Sequence, residues 1–511
     1  IRRILTLQVD LMWMGGIGTY VKSRDESHAD VGDKTNDFVR VNAHELRCKV
    51  LAEGANLAIT DRARVDFARL GGLGYTSYLD NSGGVDTSDH EVNIKILFAP
   101  LLASGAVSRV HRNELLRRCT DEVCAMVLAN NDAQSRMVSF DVRRSRRDVY
   151  RYTRALKHLV VEVPFDPAAF ALPSEDELEA RARKSGGLYK CEAAALCAHA
   201  KMLAYRQLLD GRPLAAPLVE RLVRDYFPAA MVAAAGDAVN QHILRREIAT
   251  TMAVNRIVDS AGASFFPELL AGTGRPIAAI VEAYFLALDA ADGEALLREI
   301  YACEDKHRQE AVYTAMMMVQ DALEAATHFL LESEGLALGD DALAQARELL
   351  GGVDALLPAA QRPALARQIE ALERLGFAAP LAGAIARIAH LPAVLESVAM
   401  AADTGLTPAE VMRLRLEIAR ELGLGSLQEG LASMAYPSRW EGPAAQALAR
   451  QLSAHLRAMV RAASDGDVAG MIERLHLGGV AQQGAASLEG GVSIAGIVMF
   501  DQQLRRRLAA V

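Results

Sequence analysis

The stretch from Asp80 to Glu91, Asp-Asn-Ser-Gly-Gly-Val-Asp-Thr-Ser-Asp-His-Glu, gathers amide, hydroxyl, carboxylate and imidazole side chains around a glycine pair. It follows the β-branched and aromatic run Tyr75 to Leu79 and precedes an apolar-periodic run with Val92, Ile94, Ile96, Leu97 and Phe98, which predicts a strand-to-helix turn. Open α/β sheets bind ligands at such turns. Gly83 and Gly84 permit positive φ and close approach to the backbone, and Asn81 offers both donors and acceptors. Ser88 with Glu91 three residues on predicts a capping box, hence a helix N-terminus with free N–H groups. An ordinary glycine turn, with Asp89 and Glu91 complementing a helix dipole, accounts for the same residues. A metal site from Asp86, Asp89, His90 and Glu91 is disfavoured, because consecutive residues of a helical turn point apart and lack ligand spacing.

Other elements must bring partners to this turn. Val9 to Met14 reads as a buried strand running into Gly15-Gly16-Ile17-Gly18, a G-x-G without the third glycine of a dinucleotide fingerprint. Asn36 is the expected N-cap of a short helix to about Leu46. Arg47 to Ala52 is the next strand, ending in Glu53-Gly54-Ala55-Asn56. Thr60 caps a helix to about Leu70, stopped by Gly71 and Gly72, and Tyr75 to Leu79 is the third strand. Strands alternating with helices predict a parallel sheet with right-handed crossovers, so the three strand ends share one carboxyl edge. Glycines at every end and asparagines at two of them point to a nucleotide or nicotinamide crevice.

The 511 residues suffice for two or more domains, and 51% hydrophobic with 5% aromatic residues describes an Ala- and Leu-rich, mainly helical chain. Fifty-six basic against 64 acidic residues give a net charge of -8, which argues against a nucleic-acid-binding protein. No apolar run approaches the roughly 18 residues of a membrane span, and no secretory signal is visible at the start. Cys48, Cys119, Cys124, Cys191, Cys197 and Cys303 form neither a C-x-x-C pair nor a zinc spacing, so they read as reduced thiols of a cytoplasmic protein. The chain opens on Ile1 and strand-like sequence, from which a longer natural protein is expected.

Ala52-Glu53-Gly54-Ala55-Asn56, followed by Asn81-Ser82-Gly83-Gly84-Val85, Ser88 and Glu91, resembles the nicotinamide-binding domain of glutamate dehydrogenases. Asp10 to Lys22, His28 to Asp33 and Asp86 to Ile96 narrow the resemblance to the large NAD-dependent bacterial enzymes, whose catalytic core lies between long helical regions. Asp121-Glu-Val, Leu128 to Gln134, Tyr226-Phe-Pro228 and His242 to Ile248 are similar to segments of the same family's C-terminal region. The resemblance implies NAD as cofactor and L-glutamate and 2-oxoglutarate as partners, in a homo-oligomer. It implies that Gly15, Gly16, Asn56, Asn81, Gly83 and Gly84 form the cofactor side, with the two asparagines at the nicotinamide ribose and carboxamide. Ser88 would meet the substrate side-chain carboxylate. Met14 departs from the asparagine expected there. The family's catalytic lysine and aspartate belong to a substrate domain expected before Ile1, so the chain alone is expected to be inactive; Lys22 and Lys49 read as solvated lysines, not as replacements.

Beyond Pro100 the sequence reads as helices. Ser174 with Glu177 and Thr407 with Glu410 predict capping boxes, and Val411, Leu414, Ile418 and Leu422, then Leu448, Leu452, Leu456 and Met459, mark buried stripes. The expected fold class is thus α/β followed by all-α: a partial Rossmann-like parallel sheet, then a large helical domain. Expected divisions are 1–100 for the distal half of the NAD-binding domain, 101–165 for helices completing the core, and 166–511 for the helical domain, with a boundary at the three prolines between Val163 and Pro173. The basic run Arg143 to Arg147 reads as a solvated or salt-bridged helix face, since no aromatic interleaves it. A helical regulatory or oligomerisation module with a vestigial nucleotide fold is the competing function class.

Overall fold

The computed structural model describes residues 1–303, 309–333, 338–433, 439–480 and 493–509. By internal contacts the chain divides into two units, Ile1–Glu282 and Ala283–Val511.

The first unit opens on a helical turn, α1 (Arg2–Leu5), where strand-like sequence was expected. Strand β1 (Leu11–Met14) follows, then β2 (Val21–Lys22), the short helix α2 (His28–Val31), β3 (Val41–Asn42), β4 (Val50–Glu53) and helix α3 (Asp61–Arg69). β1 pairs with β4 in parallel, Leu11 opposite Val50 through Met14 opposite Glu53, and β2 pairs in parallel with β3. The expected parallel α/β start is present, but as two small sheets. β1 alternates in burial, with Met12 and Met14 inward and Leu11 and Trp13 outward, so it is covered on one face and not the fully buried strand anticipated. The inward residues join Leu5, Val21, Val41, Leu51, Ile59 and Phe67 in one core.

Two expected elements do not form. The predicted helix from Asn36 to Leu46 is replaced by 3-10 turns around β3. The buried guanidinium of Arg40 explains this: it donates to the carbonyls of Thr19 (2.8 Å) and Asp33 (2.5 Å) and to the Asp37 carboxylate, pinning the segment as a loop against the residues that lead into β2. The predicted strand Tyr75 to Leu79 does not form: β4 meets only a single parallel bridge just before it, between Val50 and Leu73, and the chain then leaves the sheet and winds into α4 (Ser77–Asp80).

Helices α5 (Ser82–Ala103), α6 (Arg109–Arg118), α7 (Thr120–Arg147) and α8 (Val149–Glu162) follow. The helix Arg245–Ala261 packs on α7, on Lys190–Asp210 and on Ala216–Tyr226. The three-proline segment between Val163 and Pro173 lies within this unit, and α8 before it packs on the helix Glu175–Ala182 after it. Ser174 and Glu177 form the predicted capping box. The basic run splits: Arg144 is buried and donates to the Ala261 carbonyl, whereas Arg146 and Arg147 face solvent.

The second unit is helical throughout its described residues. The Thr407–Glu410 capping box forms, and both predicted stripes, on Pro408–Glu421 and Glu441–Ala462, meet in one core with Phe500 and Leu504. Among the described residues one stretch, Ala379–Thr404, is long and apolar enough by length and composition to cross a membrane, although Arg387 and Glu396 interrupt its apolar run, and 56% of its most apolar window is buried inside the protein. Its Leu391, Val394 and Leu395 are fully buried. Leu452 is also fully buried; Leu452→Ala should therefore cost about 2–5 kcal/mol, read as a lower urea midpoint by circular dichroism. An unchanged midpoint would show that this stripe does not hold the unit together.

Candidate functional site

The carboxyl ends of β1 and β4 are joined beyond the strands, since Ala55 N donates to the Met14 carbonyl at 3.0 Å. On the other side of β4, Leu51 N donates to the Leu73 carbonyl at 2.9 Å. The next N–H on that side, from Glu53, donates to the Asp80 carboxylate at 2.9 Å. A side chain thus takes the hydrogen bond that a third strand would have accepted, which is why the sheet can stop at Leu73 while the Asp80 turn still reaches the edge. Burial pushes the Asp80 carboxyl up to about 6, against the opposing pull of the Glu53 N–H and Arg64.

Glu53 organises the loop that follows. Its carboxylate is buried, takes both Nε and Nη2 of Arg64 at 2.8–3.0 Å, and accepts the N–H groups of Ala58 (2.8 Å) and Ile59 (3.3 Å). Burial raises the Glu53 carboxyl above its ordinary range, with Arg64 acting against it. The loop from Gly54 to Leu57 is consequently folded back over its own strand, with Leu57 forced to a φ of 60°. Asn56 sits exposed in this loop. The second small sheet closes it from outside, through Tyr20 N to the Ala58 carbonyl (2.8 Å) and the Thr19 hydroxyl to the Leu57 carbonyl (2.7 Å).

From the other side comes Asn81, whose Nδ2 donates to Asn56 Oδ1 at 2.5 Å. The two asparagines singled out in the sequence, 25 residues apart, thus meet directly. Whichever way the amides are turned, the pair retains one amide oxygen and one amide nitrogen outside this bond. Gly15 and Gly16 lie exposed just beyond β1, while Met14 points inward into the core.

Gly83, Gly84 and Ser88 are placed differently from the expected turn. α5 begins at Ser82, so both glycines lie in its first turn without positive φ, and Ser88 lies within the helix, not at its cap. The Ser88 hydroxyl donates to the Gly84 carbonyl at 3.1 Å, and Glu91 pairs with Lys95 in place of the predicted capping box. The helix starts early because α7 grips its beginning: Asn131 donates to the Leu79 carbonyl (2.9 Å) and the Ser82 hydroxyl (2.8 Å), and Asn130 to Asp86 (2.8 Å). Farther along α5, the Tyr226 hydroxyl donates to Asp89 at 2.7 Å and its ring stacks on His90 with centroids 4.3 Å apart. Burial holds the His90 imidazole below its usual value, opposed by Asp86 and Asp89. Lys22 is half-buried, and its ammonium donates to the Ser23 and Glu26 carbonyls and to Asn42. Lys49 is exposed beside Asp10. No group of three or more potential metal ligands occurs among the described residues.

The sequence reading did not identify Arg64, Asp80, Asn131 or Tyr226 as supports. Only the adjacent Asn130–Asn131 pair on a long helix carried a visible hint, because polar amides midway along a helix need partners.

Residues 1–141 match the family described as bacterial NAD-glutamate dehydrogenase, catalytic domain, and residues 185–472 match glutamate dehydrogenase, C-terminal. The chain is 34% identical over 464 residues to the NAD-specific glutamate dehydrogenase of Pseudomonas aeruginosa, covering 90% of this chain and 29% of that protein. It is 33% identical over 451 residues to that of Halomonas elongata, covering 87% and 28%, and 42% identical over 295 residues to that of Mycobacterium tuberculosis, covering 57% and 18%.

Two consequences are measurable. Arg64→Met leaves a buried carboxylate unpaired and should cost about 3–5 kcal/mol in urea unfolding; a loss within experimental error would remove the pair from the site's foundation. The Asp80 carboxyl, at about 6 in the folded state against about 3.9 unfolded, gives stability that is complete below the unfolded value and lost as pH rises through the folded one. Wild type should therefore lose stability relative to Asp80→Asn between about pH 4 and pH 6 and run parallel to it above, and parallel profiles throughout would contradict this.

Proposed function

The chain belongs to the bacterial NAD-glutamate dehydrogenases, and from that premise we propose that it forms one wall of the nicotinamide site of an enzyme oxidising L-glutamate to 2-oxoglutarate and ammonium. The observation that carries this reading is the contact between Asn56 and Asn81 at the carboxyl edge of parallel strands. A primary carboxamide both donates and accepts, and the asparagine pair offers the complementary acceptor and donor, so the residues fit the group. Bound there, NAD would supply the hydride acceptor for oxidation at Cα of glutamate, in a reaction that consumes water and releases 2-oxoglutarate, ammonium and one proton.

In this proposal Asn56 and Asn81 fix the ring's orientation, and the Glu53–Arg64 pair keeps Asn56 in place. Gly16 leaves the end of β1 open to the cofactor while Gly15 makes room there for the Trp13 ring, and Gly83 and Gly84 leave the first turn of α5 open. Ser88 would turn its hydroxyl from the Gly84 carbonyl to the substrate side-chain carboxylate, one hydrogen bond exchanged for a charge-assisted one. Neither Lys22, held by three acceptors, nor Lys49, paired with Asp10, is proposed as an acid or base. The chain spans 29% of its Pseudomonas relative, and the lysine and aspartate of the chemistry are assigned to a substrate domain of the longer protein. The chain as written, folded by circular dichroism, should accordingly fail to oxidise glutamate; turnover equal to that of the full-length enzyme would place those residues within these 511 positions.

Titration of the full-length protein with NAD tests the reading as a whole, since a helical regulatory module with a vestigial fold gives no saturable binding. In the same protein Asn81→Ala should weaken NAD binding by about tenfold, the equivalent of one to two hydrogen bonds. Unchanged kcat/KM for glutamate oxidation would remove Asn81 from the site. Ser88→Ala should raise KM for glutamate more than for NAD, whereas equal effects would leave Ser88 with a helical role alone.

A further inference from the structure

We propose that Trp13 is a stacking platform for a flat heteroaromatic ring of the nucleotide cofactor, an assignment that rests on reading this strand edge as a nicotinamide site. Along β1 the side chains alternate, and Trp13 falls on the open face, 68% exposed, between the buried Met12 and Met14. An indole left in water is costly, because its apolar area is among the largest of any side chain.

The ring does not stand up from the sheet. It lies along the strand toward the carboxyl end and crosses to the neighbouring strand, against two glycines. A Cβ on Gly15 would come within 2.8 Å of Trp13 Cζ3, and one on Gly54 within 2.6 Å of Cζ2 and 3.0 Å of Nε1. Gly15 and Gly54 directly follow the registered pair Met14 and Glu53, so the ring spans both strands at the edge where the chain turns away. Glycine at both positions is what allows the indole to lie so close to the backbone. One side of the ring is thereby backed by main chain, and its other side is the exposed one.

That plate sits on the loop of the asparagine pair. Gly54 is two residues from Asn56, and Ala55 between them is hydrogen-bonded to Met14, the residue next to Trp13. A ligand whose carboxamide is held by Asn56 and Asn81 therefore has an aromatic surface within its own dimensions. The chemistry suits such a ligand twice. The face of indole carries negative electrostatic potential and attracts a cationic ring such as oxidised nicotinamide, and any purine stacks on it by dispersion and apolar burial. Leu11, on the same face, extends the apolar surface away from the strand end.

The test is calorimetric binding to the full-length enzyme and its Trp13→Leu, Trp13→Phe and Gly54→Ala variants, with NAD, ADP-ribose and nicotinamide mononucleotide as probes. Loss of one ring stack by side-chain truncation corresponds to roughly 5- to 150-fold in affinity, so Trp13→Leu should weaken NAD at least fivefold and Trp13→Phe less. Gly54→Ala keeps the indole but pushes it off its seat, and should weaken NAD as well while leaving the thermal midpoint nearly unchanged. This variant decides the matter even where Trp13→Leu folds poorly. Loss confined to nicotinamide mononucleotide identifies the nicotinamide as the stacked ring, and loss confined to ADP-ribose identifies the adenine; either supports the platform. Folded variants that bind all three probes as wild type does would overturn it, as would a lowered thermal midpoint in Trp13→Leu and Trp13→Phe without any change in affinity, the signature of an indole that only packs against protein. Wild type failing to bind NAD at all is a separate outcome, which removes the nicotinamide reading itself and the platform with it.

Discussion

The buried ion pair between Glu53 and Arg64 is the constraint on which the N-terminal site depends. A carboxylate without water is tolerated only if its charge and lone pairs are met, and here a bidentate guanidinium and two backbone N–H groups meet them. Because those N–H groups belong to Ala58 and Ile59, the loop after β4 has to curl around the carboxylate. The position of Asn56 follows from this. Arg64 is in turn fixed by α3, whose start is set by the Thr60 cap, so the pair ties strand, loop and helix into one rigid turn.

The same edge is closed from the other side by a substitution of roles. β4 presents one more N–H than the bridge at Leu73 accepts, and the Asp80 carboxylate takes it. Asn81 follows immediately, which brings it to the edge where it meets Asn56. α5 begins at the next residue and is held by amides of α7 at its start and by Tyr226 further on. The helical body of the first unit thus acts directly on the strand edge: it positions the helix that carries Gly83, Gly84 and Ser88.

Hydrogen-bond demand and helix grip also explain where local patterns misled. Tyr75 to Leu79 has strand propensity, yet the edge of β4 is already satisfied by a side chain and the segment is free to coil into α4. Ser88 and Glu91 have the spacing of a capping box, but a helix gripped by Asn131 at Ser82 passes them in its interior, where the serine can only bond back to Gly84. The segment after Asn36 lacks no helical pattern; it is overruled by Arg40, whose buried guanidinium is anchored on the Thr19 and Asp33 carbonyls outside the segment, and by the pairing of β3 with β2.

What the residues alone determined was whatever depends on neighbours close in the chain. The Thr60, Ser174 and Thr407 caps, the parallel β1 and β4, and the apolar stripes from Val411 to Leu422 and from Leu448 to Met459 follow from hydrogen-bond valence and from helical or strand period. The same local reasoning singled out Asn56 and Asn81, because glycine turns alone require no asparagine. Their direct meeting, the exposed indole laid over Gly15 and Gly54, and the helical setting of Gly83, Gly84 and Ser88 were decided only in three dimensions. Each rests on a partner remote in sequence: Arg64 for Glu53, Asp80 for the β4 edge, Asn131 for Ser82. Satisfying a buried charge or N–H group is a condition on the whole fold, and no window of sequence contains both sides of it.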